Sequence, residues 1–227
     1  MKKGKLIVIE GGDGSGKTIQ AKLLVKYLKN VRISTDYFDF PQYKHSFHGE
    51  TVAKFLRGEL GKIYEVSPYL ASLPFALDRA STKDRLLHIL NKGHFIVANR
   101  YATSNLVYQA AKFASEKERG QFIKWVTRLE YEINGIPREN IIIYLDVPWR
   151  IGLKLTNQKA PREYLRGRDD IHENHTGYRQ RVEKLYLKFV DNNENWVKID
   201  CVKNGKLLSP DKIHSEVIEV LKKRSVI

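Results

Sequence analysis

The sequence predicts an α/β fold, three layers deep, with a central parallel sheet between two layers of helices in one domain over residues 1–227. Three observations predict it. Short apolar, β-branched runs alternate with longer stretches whose apolar residues recur at helical spacing. The runs are uninterrupted rather than alternating polar and apolar, as expected of strands covered on both faces. A glycine-rich turn joins the first run to the first helical stretch, which is where such folds bind ligands.

That turn is Gly11-Gly12-Asp13-Gly14-Ser15-Gly16-Lys17-Thr18, and it fits G-x-x-x-x-G-K-[ST]. Leu6-Ile7-Val8-Ile9 precedes it as a strand, and Ile19, Leu23, Leu24, Tyr27 and Leu28 come after it on a helix. Strand, turn and helix make a P-loop. Its glycines let backbone N–H groups turn inward around phosphate oxygens, and the helix N-terminus adds partial positive charge. Lys17 then reaches the β- and γ-phosphates of a nucleoside triphosphate, and the Thr18 hydroxyl is the candidate Mg²⁺ ligand.

The remaining elements come in order along the chain. Val31 to Ser34 and Tyr37 to Phe40 read as an extended segment ending at Pro41. Thr51 to Leu56 reads as a short helix stopped near Gly58 and Gly61. A long helix is predicted from Ser67-Pro68 to Asn91-Lys92-Gly93, and Phe95-Ile96-Val97-Ala98 is a buried strand delivering Asn99-Arg100-Tyr101. After one more helix, Phe122, Trp125, Val126, Leu129 and Ile133 share a single helical face. Ile141 to Leu145 is the clearest interior strand. Helix resumes through Tyr178, Val182, Leu185 and Phe189, then come a strand at Trp196 to Ile199 and a last helix from Ser209-Pro210.

Composition bounds the function. The hydrophobic content of 42%, with 3 Trp, 12 Tyr and 9 Phe, argues against disorder. No apolar run is long enough to span a membrane, no signal peptide is visible, and the lone Cys201 has no intramolecular partner. A reduced, cytoplasmic protein is expected. The formal charge of +14 suits either nucleic acid or an enzyme holding two polyanionic nucleotides, and the lysines are dispersed rather than gathered.

A P-loop alone fits switches, motors, helicases and kinases. There is no N-K-x-D for a switch GTPase. Between Asn157 and Asp170 the pattern breaks into a polar loop with Pro161, Gly167 and three arginines, Arg162, Arg166 and Arg168. Such a loop suits a lid, at about 157–172, that closes over transferring phosphate and brings positive charge to it.

Five motifs in order now resemble the thymidylate kinases, a family of P-loop nucleoside monophosphate kinases. They are the P-loop from Ile9; Phe38-Asp39-Phe40-Pro41 with Phe55-Leu56-Arg57-Gly58-Glu59-Leu60-Gly61; Phe75-Ala76-Leu77-Asp78-Arg79; Asn99-Arg100-Tyr101 with Ser104 and Tyr108-Gln109; and Tyr144-Leu145-Asp146-Val147-Pro148 with Asp170-Ile171-His172-Glu173. The resemblance implies ATP-dependent, Mg²⁺-assisted phosphorylation of dTMP, a homodimer, and no role for nucleic acid or membrane. It gives Phe75 a thymine ring to stack on and Arg79 the thymine O4. Arg100 takes the dTMP phosphate, Tyr108 packs on the sugar, and Gln109 and Ser104 complete the base contacts. Asp13 holds the 3′-OH, and Phe40 and Pro41 line the substrate site. Lys17, Arg100 and the lid arginines form the catalytic set.

Three positions depart from the family pattern. Asn99 stands where many members carry Asp, so an acidic partner for Mg²⁺ is either missing or replaced by Asp146 or Asp169. Gly14 stands where one branch has a P-loop arginine, which leaves the catalytic cation to the lid. Gln42-Tyr43 replaces a frequent arginine, with Lys44 as the expected substitute. Two rival readings remain: a kinase for another nucleotide or deoxynucleoside, the latter needing a base such as Glu10, and a basic P-loop ATPase that binds nucleic acid.

Overall fold

The computed structural model describes residues 3–158, 163–167, 170–171 and 175–227. Five strands form one sheet: β1 (Leu6–Gly11), β2 (Thr35–Asp39), β3 (Phe95–Asn99), β4 (Ile141–Asp146) and β5 (Trp196–Asp200). Their order is β2-β3-β1-β4-β5 and every pairing is parallel. The sheet is therefore of the predicted kind. The helices are α1 (Lys17–Asn30), α2 (Phe47–Leu56), α3 (Pro68–Ala80), α4 (Lys83–Asn91), α5 (Ala102–Ala110), α6 (Glu116–Arg128), α7 (Trp149–Asn157), α8 (Thr176–Asn192) and α9 (Pro210–Lys223).

Strand alternation explains the three layers. Ile7 and Ile9 of β1 and Ile143 and Leu145 of β4 point to one face, where they join Leu24 and Leu28 of α1 and Val217 and Leu221 of α9. Leu6, Val8, Ile142 and Tyr144 point the other way and pack with Leu86 of α4, Phe122 of α6 and Tyr186 of α8. All these side chains are buried. Truncating any of the leucines to Ala should cost about 2–5 kcal/mol. Because β1 has neighbours on both sides, the chain leaves it for β2 on one side and later lays β4 and β5 on the other. The crevice beyond the C-terminal ends of β1 and β3 is where the P-loop and Arg100 lie.

Several elements differ from expectation. The strand after α1 occupies Thr35–Asp39, and residues 31–34 form a turn closed by Ile33 N–H bonding to Leu28 O at 2.9 Å. Helix α2 starts earlier than predicted because Ser46 caps it, accepting from Gly49 N at 2.7 Å. The long helix from Ser67 is two helices. At the break Ser81 Oγ donates to Asp78 O (2.7 Å) and Thr82 Oγ1 to Arg79 O (2.8 Å), so local hydroxyls take carbonyls that a continuous helix would use. Helix α6 runs into a π-helical turn, Leu129–Ile133. Widening the turn shifts the period, so Phe122 and Val126 are buried but Ile133 is 66% exposed. A small antiparallel hairpin, β6 (Val202–Lys203) with β7 (Lys206–Leu207), was not legible in the sequence. Among the described residues no helix is long and apolar enough to cross a membrane.

Candidate active site

One cleft of about 240 Å³ runs from the P-loop past Arg100 to Phe75, Arg79 and Gln109. At its phosphate end the backbone does most of the work. Gly14 and Gly16 both have φ of +85°, a region open to glycine. A Cβ on Gly14 would lie 2.1 Å from the carbonyl oxygen of Gly152 in α7, and one on Gly152 would lie 2.5 Å from Asp13 O. The two glycines thus let α7 press against the loop, and no arginine fits at position 14. Lys17 Nζ donates to Gly11 O (3.0 Å) and Gly12 O (2.7 Å), folded along the loop that phosphate oxygens would enter.

Beside the loop, strand register builds a polar bridge. Asn99 ends β3, next to Ile9 on one side and Asp39 on the other. Its Nδ2 donates to Thr18 Oγ1 (3.1 Å) and Asp39 Oδ1 (2.8 Å). Its Oδ1 is buried and has no hydrogen-bond partner among the described residues. Thr18, Asp39 and Asn99 all line the cleft. The expected carboxylate, Asp146, does not: it faces Lys198 at 3.6 Å on the far strand pair. Asp169 lies outside the described residues. Asp39 is the acid that neighbours Thr18 through Asn99, which corrects the expectation for Asp146. Among the described residues no group of three or more His, Cys, Asp or Glu side chains could hold a metal alone.

Arg100 occupies the strand end with φ of +64°, a strained conformation for a side chain with a Cβ and one that recurs at functional sites. Its guanidinium pairs with Asp13, donates to Tyr108 Oη (3.3 Å) and Ser104 Oγ (3.2 Å), and sits 5.0 Å from the Tyr108 ring centre. Tyr108 Oη donates to Asp13 Oδ2 at 3.2 Å. Burial pushes the Tyr108 phenol well above its usual range, which keeps it a donor. Asp13, Arg100, Ser104 and Tyr108 are thus one mutually bonded group rather than four separate contacts.

Glu10, which a nucleoside kinase would need as a base, is fully buried and away from the cleft lining. Its carboxylate accepts from Tyr101 N (3.2 Å), Thr103 Oγ1 (2.7 Å), Ser104 Oγ (2.8 Å) and Tyr186 Oη (2.8 Å). Those donors take up its lone pairs, so its place is structural.

At the far end, Phe75 lines the cleft and meets Phe55 edge-on at 6.2 Å between centroids. Arg79 and Gln109 line it too, each one to two per cent exposed. Phe40 and Pro41 form the wall beneath, joined by a cis peptide bond. Arg79 is not free to point anywhere: Glu130 from the π-helical turn accepts from its Nε (3.2 Å) and pairs with its Nη2. Asn105 lines the same end and was missed by sequence reading. The signal was available, since Asn105 and Gln109 lie one turn apart on α5, as Phe75 and Arg79 do on α3.

The described part of the segment expected to form a lid contributes to the cleft wall. Tyr164 stacks on Tyr43 with centroids 3.9 Å apart, and both line the cleft together with Asp170. Arg57 holds this segment by donating to Tyr164 O at 2.6 Å. Lys44 pairs with Glu163, so it tethers this segment and does not stand in for a cleft arginine. Arg166 is exposed, with φ of +49°, and does not line the cleft. Arg162, Arg168, His172 and Glu173 lie outside the described residues.

Comparison with known proteins agrees with this geometry. A thymidylate kinase family model matches residues 9–211. A probable thymidylate kinase of Methanococcus aeolicus is 30% identical over 98% of both chains. The thymidylate kinase of Mycobacterium tuberculosis is 30% identical over 81% of this chain and 84% of its own. The thymidylate kinase of Plasmodium falciparum is 27% identical over 99% of this chain and 93% of its own. Among solved structures, thymidylate kinase from Candida albicans superimposes with a TM-score of 0.71 over 98% of this chain and 93% of that one, at 21% identity, a likeness of fold. A match that runs from the strand before the P-loop, through the Arg100 strand end and past the lid, takes in every part of the cleft just described, and it places this chain in the thymidylate kinase family.

Proposed function

We propose that the protein transfers the γ-phosphoryl group of ATP to dTMP, giving ADP and dTDP, as one kinase domain with a lid at about 157–172. The observation that carries this reading is the convergence, in one cleft, of a P-loop, an arginine at a strand end and a base-sized pocket walled by Phe75, Arg79, Asn105 and Gln109. ATP phosphates enter the turn at Gly11 to Thr18, where inward N–H groups and Lys17 meet them. The dTMP phosphate takes the Arg100 guanidinium, and the 3′-OH takes Asp13. Phe75 covers the face of thymine, Arg79 donates to O4, and Asn105 or Gln109 accepts from N3–H. Both of those amide oxygens are buried without partners among the described residues.

No general base is needed. The second pKa of a phosphate monoester is about 6, so at pH 7 the acceptor already carries a dianionic oxygen. That oxygen attacks the γ-phosphorus in line as the bond to the β–γ bridging oxygen breaks, and ADP leaves with the electron pair. What the protein adds is alignment and positive charge.

The donor set beside the P-loop fits Mg²⁺. Thr18 Oγ1, the Asp39 carboxylate and the Asn99 Oδ1, unpartnered among the described residues, are hard oxygen donors on one wall of the cleft. When bound there with ATP, Mg²⁺ supplies charge neutralisation at the phosphates.

We also propose a homodimer, supported by exposed apolar side chains on α3 and the π-helical turn: Leu70 (64%), Leu77 (40%) and Ile133 (66%). Light scattering after gel filtration tests it, and Leu77→Glu should shift the mass to that of one chain.

The test of function is a coupled ADP-release assay across the common nucleoside monophosphates with and without Mg²⁺. Fastest turnover of dTMP is expected. Faster turnover of AMP, CMP or GMP would overturn the reading.

A further inference from the structure

We propose that Glu130, which does not itself line the cleft, sets the preference for thymine over cytosine by fixing which hydrogen-bonding groups Arg79 and Asn105 present to the base. The inference rests on the reading of dTMP as acceptor and adds a positioning residue to it.

The π-helical turn that ends α6 brings Glu130 into the interior with no exposed surface. A carboxylate accepts and does not donate. Here one carboxylate serves two readers. Oε2 accepts from Arg79 Nε at 3.2 Å, and Oε1 accepts from Arg79 Nη2 and from Asn105 Nδ2 at 2.9 Å. Asn105 Nδ2 also donates to the carbonyl of Ser72 at 3.1 Å. Both partners of that amide nitrogen accept only, so the Asn105 amide cannot turn over without setting oxygen against oxygen. Its Oδ1, buried and unpartnered among the described residues, is the atom left to meet a ligand. Arg79, with Nε and Nη2 on Glu130, keeps Nη1 as the donor for the cleft.

The wall therefore offers a donor beside an acceptor. Thymine presents the complement, an acceptor at O4 and a donor at N3–H. Cytosine presents the reverse, an amino donor at position 4 and a bare N3 acceptor. A cytosine ring in this pocket would face Arg79 donor to donor and Asn105 acceptor to acceptor, with water excluded from both. Mismatches that leave buried polar groups unpaired can discriminate by about 10⁴ in kcat/KM. Glu130→Gln replaces an acceptor with an amide that also donates. With its oxygen kept on Arg79 Nη2 and Asn105 Nδ2, its NH₂ must oppose Arg79 Nε, so Arg79 loses the two-point grip that aims Nη1 into the cleft while Asn105 stays held.

The experiment measures kcat and KM for dTMP and dCMP in the unaltered protein, Glu130→Gln and Glu130→Asp, with a thermal melt of each. Glu130→Gln should lower the dTMP-to-dCMP ratio of kcat/KM by about tenfold or more, with KM for dTMP rising more than kcat falls. Glu130→Asp, which keeps an accept-only group, should retain most of the preference. A role in folding alone would lower the melting temperature and weaken both substrates equally. Should Glu130→Gln fail to melt cooperatively, Arg79→Met is compared with Arg79→Met/Glu130→Leu, which removes the buried charge pair and the acceptor on Asn105 Nδ2 together. The double variant should then discriminate less than the single one, because only the Asn105 lock differs between them. A ratio that moves by less than about threefold in the comparison read overturns the role of Glu130. An unaltered protein that prefers a different monophosphate overturns the dTMP reading itself, and this inference with it.

Discussion

Glu10→Gln separates phosphoryl transfer to a phosphate from transfer to a hydroxyl. If the acceptor were a nucleoside, Glu10 would be its base, and the amide would cost about 10²–10⁴ in kcat. The structure predicts something else. Two of the four bonds to Glu10 end on Oε1, from Tyr101 N and Thr103 Oγ1, and two end on Oε2, from Ser104 Oγ and Tyr186 Oη. The backbone N–H of Tyr101 cannot turn, so the glutamine oxygen must stay there and its NH₂ must face Ser104 and Tyr186. Both hydroxyls can rotate to accept, and Ser104 can pass its proton to Tyr186 Oη, 3.4 Å away. One of the two hydroxyl protons is then left without an acceptor, and the remaining bonds lose their ionic assistance, about 1 kcal/mol each, the gap between charged and neutral hydrogen bonds. These losses, partly offset by no longer burying a charge, come to about 3–5 kcal/mol. Against a typical total of about 5–15 kcal/mol the variant still folds. Urea unfolding should show that loss at an unchanged m-value, while kcat on dTMP, measured well below the melting temperature, falls by less than about tenfold. A variant of parental stability with kcat down more than about a hundredfold would refute the argument and return Glu10 to the role of base.

Three further outcomes are expected of the same structure. Asp39→Asn should weaken Mn²⁺ binding to the ATP complex by about 10–100-fold, read by electron paramagnetic resonance, and Asp39→Asn/Asn99→Asp should recover it; unaltered affinity in the single variant would exclude Asp39 from the cation site. Among Arg162, Arg166 and Arg168, one Ala variant should lower kcat by about 10²–10⁴ with dTMP affinity nearly unchanged, and near-normal kcat in all three would remove the lid arginines from catalysis. Lys112 sits 4.6 Å over the Phe55 ring with its amine buried and, among the described residues, without a hydrogen-bond partner, and burial pulls its pKa down to about 7. The folded chain therefore binds fewer protons than the unfolded one between about pH 7 and 10.5, so stability should rise with pH across that window, by at most about 1.4 kcal/mol per unit, and Lys112→Met should be more stable at pH 7 and lack that rise.

What sequence could and could not disclose has a physical pattern. β1 and β4 were legible because both faces of each are covered, which leaves a run of apolar residues with no alternative reading. The P-loop was legible because close approach and left-handed backbone demand glycine at fixed spacing: a Cβ on Gly11 would lie 2.9 Å from Leu145 O, and Gly16 has φ of +85°. The break between α3 and α4 was not, because Ser81 and Thr82 are tolerated inside helices and end this one only through the carbonyls they reach. Asp39 escaped notice for a different reason. Its partnership with Asn99 is a matter of cross-strand register, and residues 60 apart in sequence declare no such pairing.

Glu130 carries that reasoning a step further. On an uninterrupted α-helix through residue 133, the spacing of Phe122, Val126, Leu129 and Ile133 makes an apolar stripe, and Glu130 falls beside it as one more solvated charge. The π-helical turn adds a residue to that stretch and rotates the chain beyond it. Ile133 goes out and Glu130 goes in, to a place where a carboxylate is tolerable only because Arg79 and Asn105 are already there to meet it. The groups that a base would touch could be read from spacing on α3 and α5. The group that decides how they are oriented depends on a helical irregularity, and the sequence offers only the residue, not the turn that makes it matter.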